Sequence, residues 1–276
     1  MSTRQRAVLA SVLVMLTTFG RLTAMGSEPQ TDAVPQPTKK PADLKFRVKS
    51  FTFVRVKHSD TAGGVRRSSW ATDYPDSDLN LSARLAKDTQ LTIDPKGIVL
   101  TLTDPQLKDF PFIYLVEPGR LLLTDEEAKS LRAYLLGGGF LMVDDFWGAD
   151  EWLQFAAEFK KVFPDRQPEE LPLDHPVFRA FYEIDKKPQV PSIHAAIAGR
   201  TTERVGAEEA HYRGVTDDQG RLMAIICHNT DLGDGWERQD ADAFYFREFS
   251  QKRAYPMGIN IVVYALTQPI EAEEKK

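Results

Sequence analysis

The chain has 276 residues, 42% apolar and 27% charged, and its 35 basic and 40 acidic residues leave a net charge of −5. That balance is too mild to imply a nucleic-acid or anionic-membrane partner, and a single cysteine excludes an intramolecular disulfide. A domain of this length buries roughly 70–75% of its unfolded surface and needs no covalent staple.

The first residues read as a targeting segment. Two arginines lie within Met1–Arg6, residues 7–19 are almost entirely apolar, and small residues follow near Ala24 and Gly26. This is the secretory pattern, and the apolar run is shorter than the ~20 residues of a membrane span. The expectation is a signal peptide over 1–26 and an exported protein, periplasmic or otherwise extracytoplasmic, with no transmembrane span in the mature chain. The alternative is membrane association through an uncleaved N-terminus. Residues 27–45 are rich in proline and polar side chains and read as a disordered linker. A single α/β domain is expected over 46–268, followed by a solvated tail over 269–276.

Within the domain, strands and helices alternate. "FTFVRV" (51–56) is a strand by its β-branched and aromatic content. "DSDLNLSARLAKDT" (76–89) is a helix with Asp76 or Ser77 as its cap. "GIVLTLTD" and "FPFIYLVEPG" are the second and third strands. In "TDEEAKSLRAYLLGGG", Thr124 and Glu127 form a capping box, and Gly137 offers a left-handed stop. "FLMVDD" is the fourth strand. The next helix turns Trp152, Phe155, Phe159 and Val162 inward. A proline-rich stretch over 164–206 has weak periodicity. "RLMAIICHN" is a late strand, and "YPMGINIVVYALTQ" a buried closing helix. Strands apolar on both faces between helices imply a doubly wound, mainly parallel sheet of flavodoxin-like type. Ligands of such folds bind beyond the carboxyl ends of the strands.

Those ends are unusually polar. Lys57 and His58 follow the first strand, with Trp70 and Asp73 in its long loop. Glu117 follows the third, and Asp144, Asp145 and Trp147 the fourth. His228, Asn229, Asp231, Asp234 and Trp236 follow the last. The ligand-binding candidates are Trp70, Asp73, Glu117, Trp147, Asn229, Asp231, Asp234 and Trp236. Asp144, Asp145 and His228 are the candidate acid–base groups. Asp144, Asp231 and Asp234 are candidate ligands for a divalent cation, and no other cofactor is evident. The plainer account is that acids cap helices, as proposed for Asp76, Asp78 and Asp150, and that "DLGDG" is a tight turn. Tryptophans there either stack on a ligand or plug the core edge. Cys227 and His228 are neighbours on a strand, so their side chains point to opposite faces and cannot form a dyad. Cys227 lies among aliphatic residues and reads as a buried small hydrophobe rather than a nucleophile. No HExxH, CxxC, GxSxG or phosphate-loop pattern is present.

"WATDYPDSDLNLSARL", "FPFIYLVEPG", "GGFLMVDDFWG", "LPLDHPVF" and "ICHNTDLGDGWE" resemble the bacterial family called domain of unknown function 4159. Its wider relatives resemble the class I glutamine amidotransferase-like superfamily. The resemblance implies a flavodoxin-like fold but not glutaminase activity. Where an amidotransferase places its cysteine elbow, this chain reads Val143-Asp144-Asp145-Phe146. His228 matches the superfamily histidine in position only. Association of such proteins with membrane-linked ATPase systems implies an envelope role. Two functions stay open. One is a binding or scaffold protein with a small polar ligand or an envelope protein partner. The other is a carboxylate- or metal-assisted hydrolase acting on a sugar or similar small polar substrate.

Overall fold

The computed structural model describes residues 33–60 and 69–269. The signal peptide, the start of the linker and nearly all of the tail lie outside the described residues. Within the expected linker, Pro37 and Thr38 touch the domain. Pro37 bridges Tyr182, and the Thr38 amide donates to the Phe181 carbonyl at 2.8 Å.

The strands are β1 (Ser50–Val56), β2 (Ser59–Asp60), β3 (Thr92–Leu100), β4 (Phe112–Val116), β5 (Leu121–Leu122), β6 (Phe140–Asp144), β7 (Glu169–Glu170), β8 (His211–Thr216) and β9 (Leu222–His228). The helices are α1 (Asp76–Thr89), α2 (Asp125–Leu136), α3 (Gly148–Val162), α4 (Ile193–Ile197), α5 (Leu232–Glu237), α6 (Ala243–Tyr245) and α7 (Tyr255–Thr267). A π-helical stretch over Phe246–Ala254 joins α6 to α7. Seven strands form the main sheet in the order β3-β1-β4-β6-β9-β8-β7, and β2 pairs with β5 beside it. From β3 to β9 the neighbours are parallel, whereas β8 and β7 add antiparallel pairings at one edge.

Side-chain alternation along these strands builds two cores. Phe51, Phe53, Phe112, Tyr114, Phe140, Met142, Ile225 and Cys227 pack with α1 and α7. Val54, Val56, Ile113, Leu115, Leu141, Val143, Ala224 and Ile226 pack with α2 and α3. Helices therefore cover both faces, which is why the strands read as continuous apolar runs.

Several local expectations change. The α1 N-cap position is Pro75, with no side-chain cap. Asp78 does not cap that helix but pairs with the fully buried Arg55. The second strand lies earlier than "GIVLTLTD", because Thr101–Asp104 turns away from the sheet. The Thr124–Glu127 capping box forms as expected, but the left-handed residue is Gly138 (φ 97°) and not Gly137 (φ −76°). "DLGDG" is not a free turn: Asp231 caps α5 by accepting from the Asp234 amide at 2.7 Å.

Candidate functional site

Because the central strands are parallel, β1, β4, β6 and β9 all end on one edge of the sheet. A cleft of about 350 Å³ opens there, lined by seven acids (Asp73, Glu117, Asp145, Glu151, Glu203, Asp231 and Asp234) and by Arg120 and Arg204. Asp73, Glu117, Asp145 and Asn229 are four of the five non-glycine residues with positive φ among those described, at 61°, 47°, 59° and 60°. Left-handed backbone is costly for residues with a Cβ, and such conformations gather at ligand sites. Here they end strands sharply, so that the carboxylates of Asp73, Glu117 and Asp145 meet the cleft.

Each wall has an identifiable anchor. Arg55 on β1 donates to Asp78 on α1 and to the carbonyls of Trp70 and Thr72 at 3.0 and 2.9 Å. It thereby fixes the turn that carries Asp73. Thr72 donates to Glu117 at 2.8 Å. The proline-rich stretch supplies the far wall. The Asp231 amide donates to the Val190 carbonyl at 2.8 Å, the Ile193 amide to Asp234 at 2.6 Å, and the Ser192 amide to Glu203 at 2.7 Å. Gly233 lets the floor close. A Cβ there would lie 2.8 Å from Asp73 Oδ2 and 2.9 Å from the Tyr114 hydroxyl.

The acids are held closer than free carboxylates tolerate. Asp145, Glu203 and Asp231 offer oxygens within 4.8 Å of one another, and so do Asp73, Asp234 and Glu237. Burial, then the charges of Asp234 and Glu237, push the Asp73 carboxyl up to about 8. Burial raises Asp144 to about 7, against the opposing effect of the Tyr114 hydroxyl bond at 3.1 Å. Asp145 and Asp231 are pushed well above the carboxylate range by burial and by neighbouring acids, and burial raises Glu203. A neutral carboxyl beside ionised ones can donate a proton, and a cation can replace the shared protons.

The cleft thus gathers Asp73, Glu117, Asp145, Trp147, Asp231 and Asp234. The Trp147 indole is buried and donates to Asp145 at 3.1 Å. Other sequence candidates lie elsewhere. Asp144 is wholly buried, with Oδ2 bound by Tyr114 and by the Gly233 amide, and it belongs to neither close group of three acids. Trp236 is a core residue against Tyr114, not an edge of the cleft. Trp70 packs at a tilt against Tyr74, and the Lys57 ammonium lies over its ring. Asn229 is spent on backbone, accepting from the Gly148 amide and donating to the Glu209 carbonyl. Glu203, Glu237, Glu151 and Arg120 have no motif around them. Glu151 lies on the first turn of α3, whose periodicity marks only its buried face, and Glu203 comes from the weakly periodic proline-rich stretch.

His228 lies outside the cleft lining and is held at both ring nitrogens. It packs against Phe146 and Trp152, and its two nitrogens face the Gly148 carbonyl (3.0 Å) and Arg213 (3.1 Å). Arg213 can only donate, so the neutral ring carries its proton toward Gly148. Burial first, then the Arg213 charge, lowers its pKa from 6.5 to about 4. The unfolded chain therefore binds the proton first. The neutral-ring stability is full above pH 6.5 and is lost as pH falls toward 4, a change on the order of 3 kcal/mol. Denaturant titrations of wild type and His228→Gln across that window should show a shallower acid loss in the variant. Parallel curves would contradict the assignment.

Cys227 faces the opposite core, fully buried, with its thiol pKa raised by burial. Thiol reagents should label the folded protein far more slowly than the urea-unfolded chain. Cys227→Ser should cost about 1–3 kcal/mol, because a hydroxyl replaces a thiol among aliphatic side chains. Equal labelling rates in the two states would return Cys227 to the list of reactive groups.

A family model described as "Domain of unknown function (DUF4159)" matches residues 52–266. No curated protein matches the chain.

Proposed function

That match spans well over half of the chain, so the chain belongs to the DUF4159 family, and from that premise we propose that it is an exported ligand-binding protein of the cell envelope whose acidic cleft takes a hard divalent cation. The observation that carries this reading is the triad Asp145, Glu203 and Asp231, whose oxygens lie within 4.8 Å of one another. Hard cations take oxygen ligands, and three carboxylates at this spacing are relieved by a positive charge. Asp145 and Asp231 are both buried, so bulk water screens their repulsion poorly. Export rests on the composition of residues 1–26. Among the described residues no helix is long and apolar enough to cross a membrane.

A flavodoxin-like fold is part of the same proposal. Numbered along the chain, the five parallel strands run 2-1-3-4-5, the order of flavodoxin-like doubly wound sheets. Asp145 stands where an amidotransferase-like elbow would carry its nucleophile, so glutaminase chemistry is not part of the reading. A metal-assisted hydrolase is the second reading. It is favoured by Asp73, a carboxyl raised to about 8 in the same cleft as the triad. Calorimetric titration of chelator-treated protein with Ca²⁺, Mg²⁺ and Mn²⁺ tests the cation. Saturable binding of at least one of them is expected, and flat titrations with all three would refute it.

A further inference from the structure

The mouth of the cleft has a chemistry that its floor does not. Arg120 lines it, is exposed, and makes no side-chain hydrogen bond or ion pair with any described residue. It lies in the Pro118–Arg120 turn that follows Glu117. Glu151 explains how that turn is placed. Its Oε2 accepts from the Trp147 amide at 2.8 Å and rests against Gly119, where a Cβ would lie 2.6 Å from it. Its Oε1 pairs with Arg204. One carboxylate thus brings together the Arg120 turn, the bend after β6 and Arg204. Arg120 and Arg204 both line the cleft.

The floor also has unmet demand beyond the crowding of its acids. Asp73 lines the cleft, and its Oδ2 is buried with no hydrogen-bond partner among the described residues, lying against Gly233. A buried oxygen without a partner calls for a donating group or a cation there.

We propose that the ligand of this cleft carries a phosphoryl group, one oxygen meeting the cation at Asp145, Glu203 and Asp231 and the others meeting Arg120 and Arg204. The assignment rests on the cation reading above. Three carboxylates leave a six- to eight-coordinate cation with open positions, which a ligand oxygen fills. Guanidinium forks match phosphate oxygens in pairs of hydrogen bonds. A tetrahedral group has enough oxygens for a cation and two arginines at once. A carboxylate has only two oxygens in one plane and less charge to share among the three.

The test uses the full chain, freed of metal and then titrated with Mn²⁺ alone, with inorganic phosphate alone, and with phosphate after Mn²⁺. Calorimetry gives the affinities, and paramagnetic broadening of the ³¹P resonance places the phosphorus near the ion. Phosphate is expected to bind measurably only after Mn²⁺. Arg120→Gln is expected to weaken phosphate about tenfold or more, for the loss of a charge-assisted pair, while leaving the Mn²⁺ affinity unchanged. Arg120→Lys should fall between the two. Because Arg120 is exposed and unpaired, neither variant disturbs the fold. Equal phosphate affinity in wild type and Arg120→Gln would overturn the proposal. So would equal binding of acetate, or phosphate binding that ignores Mn²⁺. A flat Mn²⁺ titration would instead remove the cation reading itself and this proposal with it, so the two failures are told apart by which titration is flat.

Discussion

Arg55→Leu is expected to destabilise the protein by about 3–5 kcal/mol, the largest loss from any single change considered. Arg55 is fully buried. It satisfies Asp78 from Nε at 3.0 Å, Ser77 at 2.8 Å and two backbone carbonyls of the 69–72 turn, and its guanidinium sits 5.0 Å from the centre of the Tyr114 ring. Removing it leaves Asp78, a residue 4% exposed, without its counter-charge. It also strands two carbonyls, each worth about 1–3 kcal/mol when left unsatisfied. Domains of this size lose about 2–4 °C per kcal/mol, so the melting temperature should fall by about 10 °C. The Asp78→Leu partner change made in the same chain should recover part of the loss, because it removes the orphaned charge. A loss below about 1 kcal/mol for Arg55→Leu would show that the pair is not a structural anchor.

The second large effect runs the other way. Asp231→Asn and Asp145→Asn are each expected to stabilise the chelated protein by about 1–2 kcal/mol, because each removes a charge from a buried cluster of like charges. The same changes should abolish the stabilisation that a divalent cation gives wild type. At a cation concentration of 100 times Kd that stabilisation is about 2.7 kcal/mol by mass action. Thermal unfolding with and without cation, on wild type and both variants, checks both signs together. Variants that lose stability in chelator and keep the cation shift would make Asp145 and Asp231 ordinary structural acids. That contrast separates a functional site, which gives up stability for its ligand, from a rim of caps and turns.

The pattern of the sheet was legible because it is written in local chemistry. "FIYLV" and "FLMVD" are apolar on both faces, and helices cover both faces of the strands they form. The Thr124–Glu127 capping box is a four-residue signal and appears as read. Parallel strands also placed Asp145, Asp231 and Asp234 on one edge before any coordinates, since polarity of the sheet alone decides that. What was not legible depends on long-range contacts. Arg55 carries no local signal in "FTFVRV", yet it is fully buried and pairs with Asp78 across the α1 interface. His228 reads as a rim histidine, but the bend after β6 brings the Gly148 carbonyl over it. Trp236 reads as a loop residue because α5 is too short to show a period, and it packs against Gly258 of α7. Glu203 sits in a stretch of weak periodicity, and its bond from the Ser192 amide helps to place it beside Asp145.

Whether Asp145, Glu203 and Asp231 bind a cation is decided by anomalous diffraction from crystals soaked in Mn²⁺ after chelator treatment. A peak is predicted within about 2.0–2.6 Å of carboxylate oxygens from Asp145 and Asp231, the range of hard-cation bonds, and it should vanish in Asp231→Asn crystals soaked in the same way. No peak in the cleft at saturating Mn²⁺, or a peak that persists unchanged in Asp231→Asn, would contradict the account.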